Sequence, residues 1–469
     1  MNYKPSILRF VWRSLSVMLG MLLLFGSTGF AAVQPVALVR VDLRTSTDLQ
    51  NLAAEEISIY AQLYTEEGAA YLLAALDSRQ QAILVQQGFS LKTLDSDVWG
   101  QTYYLVSARR PADFEKVSSL ATVLQAYGRQ AIIRAAPTQA EKLPALGFEI
   151  RLLIPHPIVL PKEVSALPEG ITPDPLVAEM IAQVNSGTVY TYDGDLSGEW
   201  PVDIGGLPYT IATRYTKTKK PIQMAWRYAY EHFQSLGLPV SYHQYRMNGV
   251  RKNNVVAEQA GLSEPGRIFL VTAHLDSITY ANPNQRAPGA DDNASGSVAV
   301  LVAADILSQY DFGCTLRYVL FTGEEQGLVG SYYYARDADR RGDDIEGVLN
   351  LDMIAYNSNS FPIMDLHTRP GNANDLAIAN LFAGVVDAYD INLTPHIFQD
   401  GPTYSDHASF WEFGYSAIIG IEDDDDFSPY YHSTGDQLET LDLNYFTEFV
   451  KAAVGTFAHM GCLLDEDVR

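Results

Sequence analysis

The sequence predicts an α/β protein with a mixed, largely parallel central sheet flanked by helices, preceded by a smaller α/β N-terminal domain. Three observations carry this expectation. From residue 176 onward, short apolar runs of β type alternate with helical patterns of 3.6-residue period, the rhythm of strand–helix–strand units. Residues able to do chemistry fall just after those apolar runs, where the C-terminal ends of parallel strands gather ligands. Residues 36–159 instead repeat a strand-then-helix design twice and carry no chemical motif.

Residues 1–32 hold Lys4, Arg9 and Arg13, an apolar run at 15–25, and Gly29-Phe30-Ala31-Ala32. That is the layout of a secretory signal. The alternative, an uncleaved anchor, is disfavoured by an apolar core that is short for a span. In the domain at 33–160, Leu38-Val39-Arg40-Val41 is followed by a helix near 48–56, and Tyr103-Tyr104-Leu105-Val106 by a helix near 112–120. Each half closes on a helix stopped by glycine and then a strand, through Gly88-Phe89-Ser90-Leu91 and Gly147-Phe148-Glu149-Ile150. This unit is either a propeptide or a permanent accessory domain. Pro155, Pro157, Pro161, Pro168, Pro173 and Pro175 mark a linker, centred on 161–175, at which a cut is expected to release the catalytic unit.

The catalytic domain at 176–469 is expected to open with a helix over 176–185 and a turn at 196–198. Pro221 begins an amphipathic helix through Phe233 with Ala225, Tyr228, Ala229 and Phe233 inward. Strands follow near 240–245, 254–258, 268–274 and 314–321, with a helix at 298–307 between the last two. Further helices are expected at 374–389, from Tyr404 onward, and at 443–464.

The formal net charge is −24, and it becomes more negative once the basic leader is removed. So acidic a surface argues against nucleic acid and anionic membranes as partners. No later stretch is apolar enough to cross a membrane, so an exported protein without stable membrane association is expected. Cys314 and Cys462 are the only cysteines. In an exported chain they form a disulfide or remain two buried thiols.

The chemistry gathers in five blocks. Phe321-Thr322-Gly323-Glu324-Glu325 places two acids side by side after a buried strand, which a bound cation or a shared proton makes tolerable. Ala273-His274-Leu275-Asp276-Ser277 puts a histidine at another strand end, with Asp276 near enough to orient its imidazole. Gly289-Ala290-Asp291-Asp292-Asn293 is a polar turn opening into an apolar helix. Asp352 follows the apolar run Val348-Leu349-Asn350-Leu351, and His432 sits in Tyr430-Tyr431-His432-Ser433. Two imidazoles and three carboxylates suit two Zn2+ ions sharing one acid. A water between such ions ionises near neutral pH and attacks a polarised carbonyl, with Glu324 as general base.

These blocks, in this order, resemble those of the leucyl aminopeptidase family of secreted co-catalytic zinc exopeptidases (clan MH), to which glutamate carboxypeptidase II and glutaminyl cyclases are more distantly related. The resemblance covers roughly residue 174 to the C-terminus. It implies a zinc exopeptidase fold in which His274, Asp292, Glu325, Asp352 and His432 are metal ligands and Asp292, not Asp291, bridges. It pairs Glu325 with His274 on one ion, and Asp352 with His432 on the other. Glu324 is then the proton shuttle, and Tyr431 a donor to the substrate carbonyl. Asp406 and His407 become supporting residues. His232 and His243 lie outside ligand contexts. The acids Glu422 to Asp426 read as a solvated loop, a Ca2+ site being the lesser alternative.

The expected function is therefore a secreted, two-zinc aminopeptidase acting on peptides with a free N-terminus. A carboxypeptidase or dipeptidase on the same metals is the main rival, and no Arg/Lys cluster near the motifs marks a pocket for a substrate carboxylate. A one-metal glutaminyl cyclase-like transferase needs fewer ligands than are present. A non-catalytic binding protein is expected to have lost one of the six.

Overall fold

The computed structural model describes residues 35–65, 67–108, 114–162, 164 and 170–464, so the expected signal at 1–32 lies outside the described residues. The N-terminal domain consists of two halves. The first runs Ala37–Asp42 (β1), Ser46–Ala54 (α1), Ser58–Tyr64 (β2), Ala70–Leu76 (β3), Ser78–Gln86 (α2) and Ser90–Asp95 (β4). The second runs Tyr103–Ser107 (β5), Glu115–Ser118 (α3), Thr122–Tyr127 (β6), Gln130–Arg134 (β7), Pro137–Ala140 (α4) and Glu149–Leu153 (β8). Their sheets read β4-β1-β3-β2 and β8-β5-β7-β6, the same order once each half is counted from its own first strand. The weak sequence repeat is thus a repeated topology. A short strand, His156–Pro157 (β9), returns to pair with β2.

The larger C-terminal domain opens with Pro175–Ala182 (α5) and Ser186–Ser197 (α6), then a two-residue ladder of Val202–Asp203 (β10) with Pro208–Tyr209 (β11). Lys220–Ser235 (α7) follows. Val240–Met247 (β12), Val250–Gln259 (β13) and Glu264–His274 (β14) lead to Gly296–Leu307 (α8), Cys314–Phe321 (β15), Val329–Arg341 (α9) and Asp344–Leu351 (β16). Ile363–His367 (β17), Ala373–Ala388 (α10), Thr394–Phe398 (β18), His407–Glu412 (α11), Ala417–Glu422 (β19) and Leu443–Met460 (α12) complete it.

The eight-stranded sheet has the order β12-β13-β15-β14-β16-β19-β17-β18. Its centre, β15-β14-β16-β19, is parallel, while β12, β13 and the β19–β17 pair are antiparallel. The sheet is therefore mixed, with the parallel part where the ligands lie. Helices α5, α6, α7, α8, α10 and α12 share the larger core on one face, and α9 and α11 pack on the other. Helix α8 is buried nearly all round, so its apolar composition from Val298 to Leu307, interrupted only by Asp305, is that of a central element and not of an amphipathic one.

Several expectations are corrected by packing. The first helix is two: α5 stops before Asn185, which caps α6 by accepting from Thr188 N–H, and α6 runs through the expected turn to Gly198 at φ +80. In α7, Ile222 and Trp226 are buried with Ala225, Ala229 and Phe233, while Tyr228 packs partly buried against the same core and donates to Asp195. Cys314 and Cys462 are disulfide-bonded, tying the start of β15 to the end of α12. The proline-rich stretch is no free tether along its described part, since His156 is buried and Lys162 N–H donates to Gly414 O. Nor is Glu422 solvated: it ends β19, fully buried, and accepts from Ser428 and Tyr356 N–H.

Candidate metal centre

Parallel register builds the site. Thr272 in β14 is paired with Asn350 in β16, so two residues further on His274 and Asp352 emerge side by side. His274 is paired with Phe321 across the other edge, which brings the following turn, Gly323 to Leu328, over the same strand ends. Asp292 arrives from the turn before α8, beside a cis Asp292–Asn293 peptide. His432 arrives from the loop after β19, at φ +51, held by a bond from Tyr280 N–H to its carbonyl.

The distances decide which acid joins which histidine. His274 Nε2 lies 3.2 Å from Asp352 Oδ1 and 3.3 Å from Asp292 Oδ1. His432 Nε2 lies 3.0 Å from Glu325 Oε2 and 3.1 Å from Asp292 Oδ2. The pairing drawn from the resemblance is therefore reversed: Asp352 belongs with His274, and Glu325 with His432. Asp352 follows a strand adjacent to that of His274, whereas Glu325 lies one residue further round its turn than Glu324 and faces the His432 loop. Asp292 presents one oxygen to each imidazole, as a bridge requires. Asp291 is turned away, its carboxylate accepting from Ala355 N–H. Glu324 Oε2 lies 4.0 Å from His274 Nε2, beside the ligands.

Asp276 orients His274 differently from the expectation. The imidazole Nδ1 lies 3.0 Å from the Asp276 carbonyl oxygen, and 3.8 Å from its carboxylate. The carboxylate is drawn off by the Thr216 hydroxyl at 2.7 Å and faces Glu324 N–H at 3.4 Å. With Nδ1–H given to a carbonyl, Nε2 keeps its lone pair for a cation. Tyr431 stacks on the His432 ring, centroids 3.7 Å apart, and lines the cleft.

Charge shows what the cluster lacks. Asp292, Glu324, Glu325 and Asp352 face two imidazoles, and each Nε2, with one N–H at most, faces two carboxylates. Burial pushes the Glu325 carboxyl up to about 7, with the Asp292 charge adding to it. Burial, then Glu325 and Asp352 against the opposing His274 charge, raise Glu324 well above the ordinary range. Burial works against the charged form of His432, but Glu325 and Asp292 outweigh it and raise the imidazole to about 10. Asp292, although buried, is held below the ordinary carboxylate range by the two histidines. The spacings also fit zinc: ligand atoms 2.0–2.1 Å from one tetrahedral ion lie about 3.3 Å apart. His274, Asp292 and Asp352 form one group able to hold an ion, and Asp292, Glu325 and His432 another.

Residues 254–456 match the model of peptidase family M28. That stretch resembles a peptidase family M28 domain. Over 204 residues the chain is 33% identical to a probable leucine aminopeptidase 1 of Trichophyton verrucosum, a match covering 41% of this chain and 54% of that one. The chain thus spans about half the length of the relatives it matches. In fold it is similar to the LapA aminopeptidase of Legionella pneumophila, with TM-score 0.60, 19% identity, and 78% of this chain and 99% of that one covered. It is also similar to BSAP, a zinc aminopeptidase of Bacillus subtilis, with TM-score 0.50, 14% identity, and 58% and 94% covered.

The M28 domain has supports that motif reading missed. Asp436 accepts from Asp291 and Asp292 N–H at 2.8 and 3.0 Å, fixing the turn that presents the bridge. Ser405 donates to Asp352 Oδ2 at 2.5 Å and receives Asn350 Nδ2. Arg214, wholly buried, donates to the carbonyls of Leu275, Leu196, Pro288 and Gly289 and so knits together the loops bearing His274 and Asp292. Asp436 lies four residues after His432 and Ser405 directly before Asp406, both already singled out, but nothing near Arg214 in sequence signals its role. Asp406 is buried near His274, and His407 bonds the Pro402 carbonyl. His232 and His243 pair with Asp305 and Asp337, away from the centre. The acid run forms no metal-holding group among the described residues: Asp426 accepts from Ser358 and Asn359, and Arg129 pairs with Asp424.

Proposed function

We propose that the protein is a secreted zinc-dependent aminopeptidase with two Zn2+ ions, one held by His274, Asp292 and Asp352 and the other by Asp292, Glu325 and His432. The observation that carries this is the sharing of Asp292, one carboxylate oxygen toward each histidine. When bound, the ions supply Lewis-acid polarisation of the scissile carbonyl and acidify the attacking water. Glu324 takes a proton from that water and delivers it to the leaving amine as the C–N bond breaks. Its raised proton affinity, from burial among like charges, suits a group that must both accept and return a proton. The Tyr431 phenol donates to the substrate carbonyl oxygen. Asp352 and Glu324 hold the free α-amine.

Polarity of attack follows from what lines the cleft. Among the described residues that line it there is neither Lys nor Arg to grip a terminal carboxylate, as a carboxypeptidase requires, whereas acids suited to an ammonium abound. The names of the fungal relative and of the two structural neighbours support the same direction. Export rests on the leader at 1–32. In keeping with it, no described helix is long and apolar enough to cross a membrane.

The test is a panel of aminoacyl and N-acyl-aminoacyl chromogenic substrates, with zinc content measured in parallel. Turnover of the free-amine set with two zinc per chain is expected. Turnover confined to N-blocked substrates overturns the aminopeptidase assignment and leaves the metal site standing.

A further inference from the structure

The wall of the metal cleft is not made by the M28 domain alone. Pro144, Glu149 and Ile150 of the N-terminal domain line it opposite Met353, Tyr404 and Tyr431. Glu149 Oε1 comes within 3.5 Å of the Tyr431 hydroxyl. Three residues along β8, Leu152 N–H donates to Gly327 O at 3.2 Å. Gly327 belongs to the turn that carries Glu324 and Glu325, closed by Gly327 N–H donating to Glu324 O at 2.7 Å. The approach demands glycine: φ at Gly327 is +107, and a Cβ there would lie 2.6 Å from Leu152 N.

Behind this contact the two domains share buried charge. Arg151 pairs with Glu412, and His156 Nε2 reaches the other oxygen of the same carboxylate at 2.9 Å, all three side chains being at most 7% exposed. Leu152 packs with Val329 and Tyr333, and Ile154 and Val159 pack with Phe410 and Phe413. The strap continues with Lys162 Nζ on Asp339 at 2.9 Å. A catalytic unit stripped of residues 33–160 would present Glu412 without its cations and an apolar face without its cover.

We propose that the N-terminal domain is a retained part of the working site: Ile150 and Pro144 form the wall against which an apolar first side chain of the substrate packs, facing Met353 and Tyr404. Ile150 is then specificity-determining, and Leu152 positions the glutamate turn through Gly327. This deepens the aminopeptidase reading and rests on it for the substrate.

The test uses the exported full chain with a sequence-specific protease site inserted at Gly170, an exposed position with open space around it. After cutting, the two pieces are expected to co-elute in size-exclusion chromatography without denaturant, with activity within twofold of the uncut protein. Separation of the pieces, or a rise in activity of tenfold or more on cutting, overturns the proposal and marks the domain as a removable plug. Ile150→Trp is expected to lower kcat/KM for leucyl substrates at least tenfold and for alanyl substrates less than threefold, with zinc content unchanged. Equal loss on both, or none, removes the wall assignment. Absence of turnover by the zinc-loaded uncut chain sinks the aminopeptidase reading and with it the substrate wall, while retention of the domain is still decided by co-elution.

Discussion

Two buried clusters of histidine and carboxylate lie in this molecule, and they are built to opposite ends. At the domain interface one carboxylate, Glu412, meets the Arg151 guanidinium and the His156 imidazole, which hold it below the ordinary range although it is buried. At the metal centre four carboxylates meet two imidazoles, and both Glu324 and Glu325 are driven up. The first cluster is neutralised from within the chain and can serve as a dock. The second has an excess of negative charge that the chain does not cancel, and such an excess persists in a folded interior only when an outside cation supplies the balance. Residue types alone do not separate a structural ion cluster from a metal site. The ratio of acids to bases and the number of acceptors facing each nitrogen do.

The contrast can be broken most severely at Asp292. Asp292→Ala is expected to drop zinc below one ion per dialysed chain and to abolish activity, because it withdraws a ligand from both positions. Two ions retained by that variant would show that the carboxylate is not shared. Next in size, Glu324→Ala is expected to lower kcat by about 10²–10⁴ while both ions stay. If metal is lost instead, the roles of Glu324 and Glu325 are exchanged.

The dock should respond in another currency. Arg151→Ala leaves Glu412 short of a cation in a dry interface and is expected to cost about 3–5 kcal/mol in urea unfolding of the zinc-loaded protein, with metal content unchanged. The paired replacement Arg151→Met with Glu412→Leu should recover most of that loss. If it does not, the cluster holds the domains by more than charge balance.

The smallest effect is one of sign. His432 is raised from 6.5 to about 10 in the metal-free fold, so its stabilisation is full below about pH 6.5 and is lost as pH rises through 10. Asp436, raised by burial to about 8, acts in the same direction, because its protonated form is the one the fold prefers. Chelator-treated protein should therefore show a Tm that falls from pH 7 to 10. Zinc-loaded protein should not, since metal requires the His432 imidazole deprotonated and gains as protons leave. Parallel curves for the two forms would mean that protons and metal do not compete at the same atoms.

Of the five candidate ligands and Glu324, all but His432 were legible because each follows an apolar run that must be a buried strand or opens a buried helix, where polar residues need a partner, whereas His432 stood out only as a second histidine in a loop. The repeat in the N-terminal domain was legible from two glycine-stopped helices, each followed by a strand, and the shared strand order agrees with it. The division of ligands between the two positions was not: Glu325 and Asp352 have the same chemistry, and only the register of β14 against β16 puts Asp352, and not Glu325, beside His274. Asp276 was placed by proximity in sequence, yet the turn after β14 offers its carbonyl to His274 while Thr216, 60 residues earlier in the chain, claims the carboxylate.

By itself the sequence determined the chemistry of this protein, because which atoms can bind a cation or carry a proton is a property of residue type, and the spacing of those residues along apolar runs states which strand ends must bear them. Only the tertiary structure decided how they are shared out and what encloses them: that Asp292 faces both histidines, that Arg214 binds two loops from within, and that Ile150 closes the cleft from another domain. Those relations depend on distances between segments well separated along the chain, and such distances are set by sheet register and domain docking, which no local pattern of residues encodes.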